Sequence, residues 1–294
     1  MVRMHADEVA VDAGLVKRLL ALGWPWPRST SVTVPRQALG SRSVTESDVS
    51  LVTGATGGMG RACAHRFAAA GDHLVVSDLD PDLVDELVAE LTATGATAAA
   101  VAGHLTDPAT GAAIAAATEA AGRLRAVAHT AGLSPTMADW SRILTVNLVA
   151  SVRLLDALEP LVVDGTAAVC VASQAGHFIG AAHDPVAAAL ADPLADDLVN
   201  RAAAAGLDDP GMAYGWSKWA LRRLVVERAP AWGARGGRLV SLSPGSIDTP
   251  LGRRALAQQP AMAGIIEMAR LGRLGEADAI ASVVEFLCSP AASV

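Results

Sequence analysis

The sequence predicts an α/β protein built around a doubly wound parallel sheet, and two features carry the prediction. From Asp48 onward, short apolar strands alternate with helical stretches of roughly 12 to 24 residues, which is the pattern of a parallel sheet covered by helices on both faces. Directly after the first strand stands Thr53-Gly54-Ala55-Thr56-Gly57-Gly58-Met59-Gly60, a glycine-rich loop that opens onto a helix. Right-handed crossovers joining the strands in this order build the doubly wound form.

Strands are predicted over 49–53, 73–77, 97–102, 126–130, 167–172 and 238–243, where apolar and β-branched residues cluster between turn signals. Helices are predicted over 58–70, 82–94, 108–121, 136–161, 212–229 and 276–287. The first 47 residues differ. Asp12 could cap a short helix with Leu15, Val16, Leu19, Leu20 and Leu22 on its apolar side, and Gly23-Trp24-Pro25-Trp26-Pro27 breaks it. Ser31 to Pro35 has the character of a short strand, and Ser41 to Asp48 reads as a linker. The division is therefore an N-terminal extension over 1–47 and a single main domain over 48–294.

Composition narrows the function classes. The 294 residues are 52% apolar, enough for a full core, and the formal charge of −7 argues against a nucleic-acid surface, which needs clustered Lys and Arg. No uninterrupted apolar run approaches about 18 residues, so no membrane span is expected. Asp7, Glu8 and Asp12 stand where a signal peptide would carry positive charge. Cys63, Cys170 and Cys288 lack CxxC spacing and read as buried free thiols in a reducing compartment, so a soluble cytoplasmic protein is expected. The seven histidines show no ligand spacing such as HExxH, and no metal is expected.

In the glycine loop, Gly54 permits the tight turn, Gly58 lets backbone approach a pyrophosphate, and Gly60 lets helix pack closely on strand, so that the helix N-terminus meets the phosphates. Asp78 follows at the end of the second strand, eighteen residues beyond Gly60. An acid there accepts hydrogen bonds from ribose hydroxyls and repels an added 2′-phosphate, which favours NAD over NADP. No Arg or Lys lies within 71–81 to hold such a phosphate. Asp78 as an ordinary strand-end cap is the alternative.

The only tyrosine, Tyr214, stands four residues ahead of Lys218, one of two lysines in the chain. On a helix that spacing stacks both side chains on one face. A phenol with a pKa near 10 becomes a usable acid or base at neutral pH only when a nearby cation stabilises the phenolate. The bland counterpart is a surface helix pair worth a few tenths of a kcal/mol.

With the TGxxxGxG loop, the acid and the YxxxK pair in order, the chain resembles the short-chain dehydrogenase/reductase family from about Asp48 to Ala292, with a Rossmann-like fold. The resemblance implies four catalytic residues: Asn147 holding a water for proton relay, Ser173 bonding the substrate oxygen, Tyr214 exchanging the alcohol proton, and Lys218 binding ribose and lowering the phenol pKa. It also implies NAD bound along Gly54, Thr56, Gly58, Met59, Gly60, Asp78, Leu79, Leu105, Ala131, Gly132, Tyr214, Lys218, Pro244, Gly245, Ile247 and Thr249. Relatives are dimers or tetramers, so a homodimer or homotetramer is expected.

Three departures from the family pattern stand out. His129-Thr130-Ala131-Gly132 replaces NNAG, and His129 reads as structural rather than catalytic. His104 stands where an aspartate usually faces the adenine. The sequence ends at Val294, where the family continues into a last edge strand, so that strand is expected to be lacking; Ser31 to Pro35 could occupy the vacant edge, with a separate surface appendage as the favoured alternative.

Forty residues separate Ser173 from Tyr214, more than the family needs, and define a helical insertion at about 174–212. Asp184-Pro185 and Asp192-Pro193 are helix-start signals, and two short helices are expected over the active-site mouth. A similar insertion, and the run Ala281 to Pro290, occur in the bacterial 3α-hydroxysteroid dehydrogenase/carbonyl reductase branch, beside which stand the coniferyl-alcohol dehydrogenases. Phe178, Ile179, Met212, Leu251, Met262, Ile265 and Ile266 suit a hydrophobic alcohol or ketone as partner, unless they are simply core. The expectation is an oxidoreductase moving hydride between NAD and a hydrophobic secondary alcohol or ketone, the alternatives being a silent NAD-binding regulator or a dehydrogenase of aromatic primary alcohols.

Overall fold

The protein is described from a computed structural model covering residues 47–180, 184–250, 252–253 and 272–293. The expectations for 1–46, including the segment proposed for the sheet edge, and those for Leu251, Met262, Ile265 and Ile266 lie outside the described residues. Six strands form one parallel sheet: β1 (Asp48–Thr53), β2 (His73–Asp78), β3 (Ala98–Ala102), β4 (Arg123–His129), β5 (Ala167–Val171) and β6 (Arg238–Leu242), in the order β3-β2-β1-β4-β5-β6. The order reverses between β1 and β4, and a crevice opens at such a switch point beyond the carboxyl ends of the strands. Among the described residues β6 pairs only with β5.

The strands are continuous apolar runs because both faces are covered. β5 is buried at every residue and β1 at every residue after Asp48. Successive side chains point to opposite faces. Leu51 and Val127 face one layer with Ile114, Leu155, Leu221 and Trp232, whereas Val52 and Ala128 face the other with Phe67, Leu74, Leu87 and Val284. The first layer belongs to α3 (Pro108–Ala121), α5 (Ala150–Leu158) and α8 (Pro210–Ala234), the second to α1 (Gly58–Ala69), α2 (Pro81–Ala93) and α9 (Ala277–Cys288).

Aspartate followed by proline starts four of the helices among the described residues. Asp80, Asp107, Asp184 and Asp209 each accept a bond from the first turn of α2, α3, α6 (Pro185–Ala189) and α8, with proline at the first position, where no N–H is needed. Asp192-Pro193 breaks the rule. No helix begins there: the Asp192 carbonyl accepts from the Arg201 guanidinium at 2.8 Å, and the second insertion helix, α7 (Leu198–Ala204), starts only after Asp197.

Two long helices differ from their expected spans. The one expected over 136–161 is segmented into α4 (Trp140–Leu144), a single π turn (Thr145–Val149) and α5, and it closes in a 3-10 turn (Glu159–Leu161) that contains Pro160. It starts late because Asp139 caps at Arg142 N–H. α8 runs past the expected stop and through Pro230, whose ring removes the bond to the carbonyl of Val226, a residue on the solvent side at 60% exposure. The insertion helices α6 and α7 do not line the main cleft. Val186, Leu190, Leu198 and Ala202 pack against Leu144, Leu148 and Trp216, so the insertion backs the wall formed by α4, the π turn and α8.

At the N-terminal ends of the strands, Arg125 of β4 forms an ion pair with Asp72, which also accepts from Ser50 Oγ, and the guanidinium lies 5.5 Å from the Phe67 ring centroid. Removing one partner of a buried pair strands the other charge. Asp72→Ala is therefore predicted to lower unfolding free energy by about 3 kcal/mol, measured by urea denaturation against the parent protein.

Candidate active site

The end of β1 and the end of β4 meet closely. Thr130 Oγ1 donates to Thr53 O at 2.8 Å, and a Cβ built on Gly54, where φ is +69°, would lie 2.5 Å from Ala131 N. A Cβ on Gly60 would lie 2.1 Å from Gly54 O. Only glycine fits at either place. The loop then turns into α1, whose N-terminus has no side-chain cap and whose first residues Gly58, Met59 and Gly60 line the cleft.

That cleft has a volume of ≈ 660 Å³, within the range of small-molecule sites. Of the residues expected along a dinucleotide, Gly54, Thr56, Gly58, Met59, Gly60, Asp78, Leu79, Leu105, Ala131, Gly132 and Thr249 line it. Thr249 also packs on the glycine loop, since a Cβ on Gly58 would lie 2.8 Å from its Cγ2. The glycine cradle, the uncapped helix and the acid opposite fit a dinucleotide. The sequence reading missed several lining residues: Thr130, Leu133, Met137, Arg142 and Val146. Thr130 stands in the NNAG-like segment, so a signal for it was present, whereas Arg142, in the first turn of α4, meets His104 Nδ1 at 3.2 Å across thirty-eight residues of sequence.

Asp78 makes the strand-end bonds of its structural reading and also lines the cleft. Oδ2 accepts from Thr56 N and Thr56 Oγ1 at 2.9 and 2.6 Å, and Oδ1 accepts from Leu79 N at 2.8 Å. The carboxylate thus ties the glycine loop to the end of β2. Each oxygen can accept two bonds, so Oδ1 retains capacity for a ligand hydroxyl.

The four expected catalytic side chains converge beyond Gly132 and do not line the cleft itself. A Cβ on Gly132 would lie 3.1 Å from Asn147 Oδ1 and 3.4 Å from Lys218 Nζ. Asn147, in the π turn, accepts from Leu133 N at 2.7 Å and donates to Leu133 O at 3.0 Å and Ser217 Oγ at 3.1 Å. Both of its amide protons are engaged by protein. Lys218, 5% exposed, donates to Val171 O at 2.9 Å and lies 5.9 Å from the Tyr214 ring centroid. Ser173 is the side chain whose interaction with the Tyr214 hydroxyl opposes the effect of burial, and its Oγ also accepts from Ala175 N at 3.1 Å.

Pro244 and Gly245 reach the site from the other side, through the bond from Gln174 N to Pro244 O at 2.9 Å and the packing of Gly245 on the Gln174 side chain. Ile247 belongs to β7 (Ile247–Asp248), which pairs with β8 (Gly275–Glu276). Phe178 and Met212 are 77% and 50% exposed, and Ile179 packs against Gly215 beside Tyr214.

The electrostatics differ from the expected depression of the phenol. Burial pushes the Tyr214 pKa up, opposed by the Ser173 hydrogen bond. Burial also lowers the Lys218 pKa to about 8. Both groups have lost water, and loss of water disfavours whichever form is charged.

A family model described as short chain dehydrogenase matches residues 48–189, and one described as Enoyl-(Acyl carrier protein) reductase matches 199–294. The 3-alpha-hydroxysteroid dehydrogenase/carbonyl reductase of Comamonas testosteroni is 36% identical over 169 residues, 55% of this chain and 65% of that protein. A short-chain type dehydrogenase/reductase of Sinorhizobium fredii is 30% identical over 262 residues, 86% of this chain and 42% of that protein. The chain thus spans less than two thirds of the length of these two relatives. A solved short-chain type dehydrogenase/reductase from Mycobacterium ulcerans superposes with a TM-score of 0.68 at 26% identity, over 84% of this chain and 85% of that one. The chain belongs to the short-chain dehydrogenase/reductase family, near the 3α-hydroxysteroid dehydrogenase/carbonyl reductase branch. This family of oxidoreductases uses nicotinamide cofactors and acts on small-molecule alcohols and ketones. No helix among the described residues is long and apolar enough to cross a membrane.

The depressed lysine makes a prediction about pH. Below pH 8 Lys218 is charged in both folded and unfolded chains and its burial cost is present in full; between 8 and 10.5 the folded protein releases the proton first, so the unfolded chain binds more protons and stability rises with pH. The three buried thiols, each pushed up to about 12 from 9.0, act in the opposite sense as pH passes 9. The lysine share is therefore the difference from a Lys218→Met variant. That difference in unfolding free energy should move in favour of the parent by on the order of 1 kcal/mol between about pH 7 and 9, measured by urea denaturation without cofactor.

Proposed function

We propose that the protein transfers a hydride between NAD and a hydrophobic secondary alcohol or ketone. The observation that carries this reading is the convergence of Ser173, Tyr214 and Lys218 beside Gly132, at the end of a cleft whose far end holds Asp78. Gly54, Gly58 and Gly60 would hold the pyrophosphate with the α1 N-terminus, Asp78 the adenosine ribose, and Lys218 the nicotinamide ribose. Bound there, NAD supplies the carbon that accepts the hydride from the carbinol.

The chain's own residues do the rest. Ser173 orients the substrate oxygen, and Tyr214 exchanges a proton with it. In the ketone direction both hydroxyls donate to the oxygen as it gains charge. Lys218 Nζ lies 5.9 Å from the Tyr214 ring centroid, and its positive charge favours the phenolate against the effect of burial. Exposed Phe178 and Met212, with Ile179 over Gly215, support an apolar substrate. So does the similarity to the Comamonas testosteroni 3-alpha-hydroxysteroid dehydrogenase/carbonyl reductase. The same reading takes the main domain as 48–294 and the protein as a cytoplasmic homodimer or homotetramer.

NADH absorbance, followed with NAD and a panel of steroid, secondary and aromatic primary alcohols, is predicted to rise with at least one apolar secondary alcohol. Tyr214→Phe should lower kcat by about a hundredfold or more while NAD still binds; unchanged turnover in that variant rejects the assignment. Asp78→Ala should lower kcat/KM for NAD by about tenfold or more and shrink the preference for NAD over NADP. An unchanged ratio of the two cofactors rejects the proposed NAD selectivity.

A further inference from the structure

Beneath the π turn runs a chain of side-chain hydrogen bonds that the proposed chemistry does not use directly. His129, at the end of β4 and 1% exposed, is the register partner of Thr53, whose Oγ1 lies 2.7 Å from His129 Nδ1. On its other side His129 Nε2 lies 2.8 Å from Ser151 Oγ in α5. Ser151 in turn donates to the Asn147 carbonyl at 2.9 Å, across the widened turn in which the Ala150 N–H reaches back to Thr145 O.

The proton directions follow from the inventory of donors. A serine hydroxyl has one proton, and Ser151 gives it to a carbonyl, so toward His129 it accepts. The ring must then carry its proton on Nε2, which leaves Nδ1 to accept from the Thr53 hydroxyl. The ring is neutral, because burial and then the Lys218 charge push its pKa down to about 3. Beyond this chain Asn147 grips Ser217, the residue before Lys218, whose own hydroxyl donates to Tyr214 O at 2.8 Å.

We propose that His129 is a positioning residue: fixed as the neutral Nε2–H tautomer, it braces the π turn through Ser151 and thereby aligns the Asn147 amide with Ser217, Tyr214 and Lys218. The kinetic part of this inference rests on the dehydrogenase reading; the tautomer does not. A histidine that merely fills space would show neither a fixed tautomer nor an energetic link to Ser151.

Two measurements test it. Histidine-selective ¹⁵N NMR of the full chain should show His129 unprotonated at Nδ1, protonated at Nε2 and unchanged between about pH 5 and 8. A proton on Nδ1, or a titration in that range, overturns the proposal even if no alcohol is turned over. In kinetics, His129→Ala and Ser151→Ala should each lower kcat about ten- to a hundredfold, with KM and NAD affinity within about twofold of the parent. The double variant should be no worse than the poorer single one, because both break the same chain. His129→Gln, which offers both a donor and an acceptor, should recover most of kcat. Additive losses, or a loss confined to KM, overturn the proposal. If His129→Ala fails to fold by circular dichroism, Ser151→Ala carries the kinetic test with the ring in place. Absence of turnover in the parent overturns the dehydrogenase reading and leaves the NMR result to decide the tautomer.

Discussion

The closeness of β1 to β4 at their carboxyl ends is the constraint on which the site depends. Thr130 clasps the Thr53 carbonyl, and the backbone at Gly54, Gly60 and Ala131 is packed so tightly that a single added carbon would collide with main chain. That contact falls where the order of the sheet reverses, so it opens the cleft and turns the α1 N-terminus into it. It also sets the depth at which the segment after β4 meets α8. Gly132, three residues beyond His129, is the floor against which Asn147 and Lys218 are pressed.

From that floor the polar groups are organised by burial. Asn147 has no freedom to serve water with its amide protons, because Leu133 and Ser217 engage them. Lys218 finds a carbonyl, Tyr214 a serine, and His129 two hydroxyls. Each of these bonds offsets a desolvation cost that would otherwise exclude the group from the interior. The consequence for chemistry is that burial holds the phenol in its protonated form, while Lys218, charged below about pH 8, directs its proton at the Val171 carbonyl.

The insertion between β5 and α8 serves this arrangement from behind. Its leucines bury the outer side of α4, the π turn and Trp216, in a core separate from the two that sandwich the sheet. A helix interrupted by a π turn gains from such a backing, since the widened turn has poorer internal hydrogen bonding than a regular helix. Near the start of the insertion Phe178 is left at the surface, whereas Ile179 packs onto this core over Gly215.

Much of this was legible in the residues alone. Six strands, the glycine loop, the acid at the end of β2 and the Tyr214–Lys218 pair are local patterns, and local patterns follow from periodicity, φ and helical spacing. The alternation with period two was enough to divide Leu51 from Val52 between two cores. What could not be read was anything set by competition between partners distant in sequence. Asp192-Pro193 has the same local signal as Asp184-Pro185, yet only a turn forms there, with the Asp192 carbonyl accepting from Ala195 N and Arg201, and the helix starts elsewhere. The helix over 136–161 looked continuous, whereas a π turn interrupts it where Asn147 bonds Leu133, fourteen residues back. The sign of the phenol's pKa shift belongs to the same class. Spacing put a cation four residues from the ring, but the tertiary fold decided how much water both would lose, and in an interior that loss outweighs a charge directed at a carbonyl.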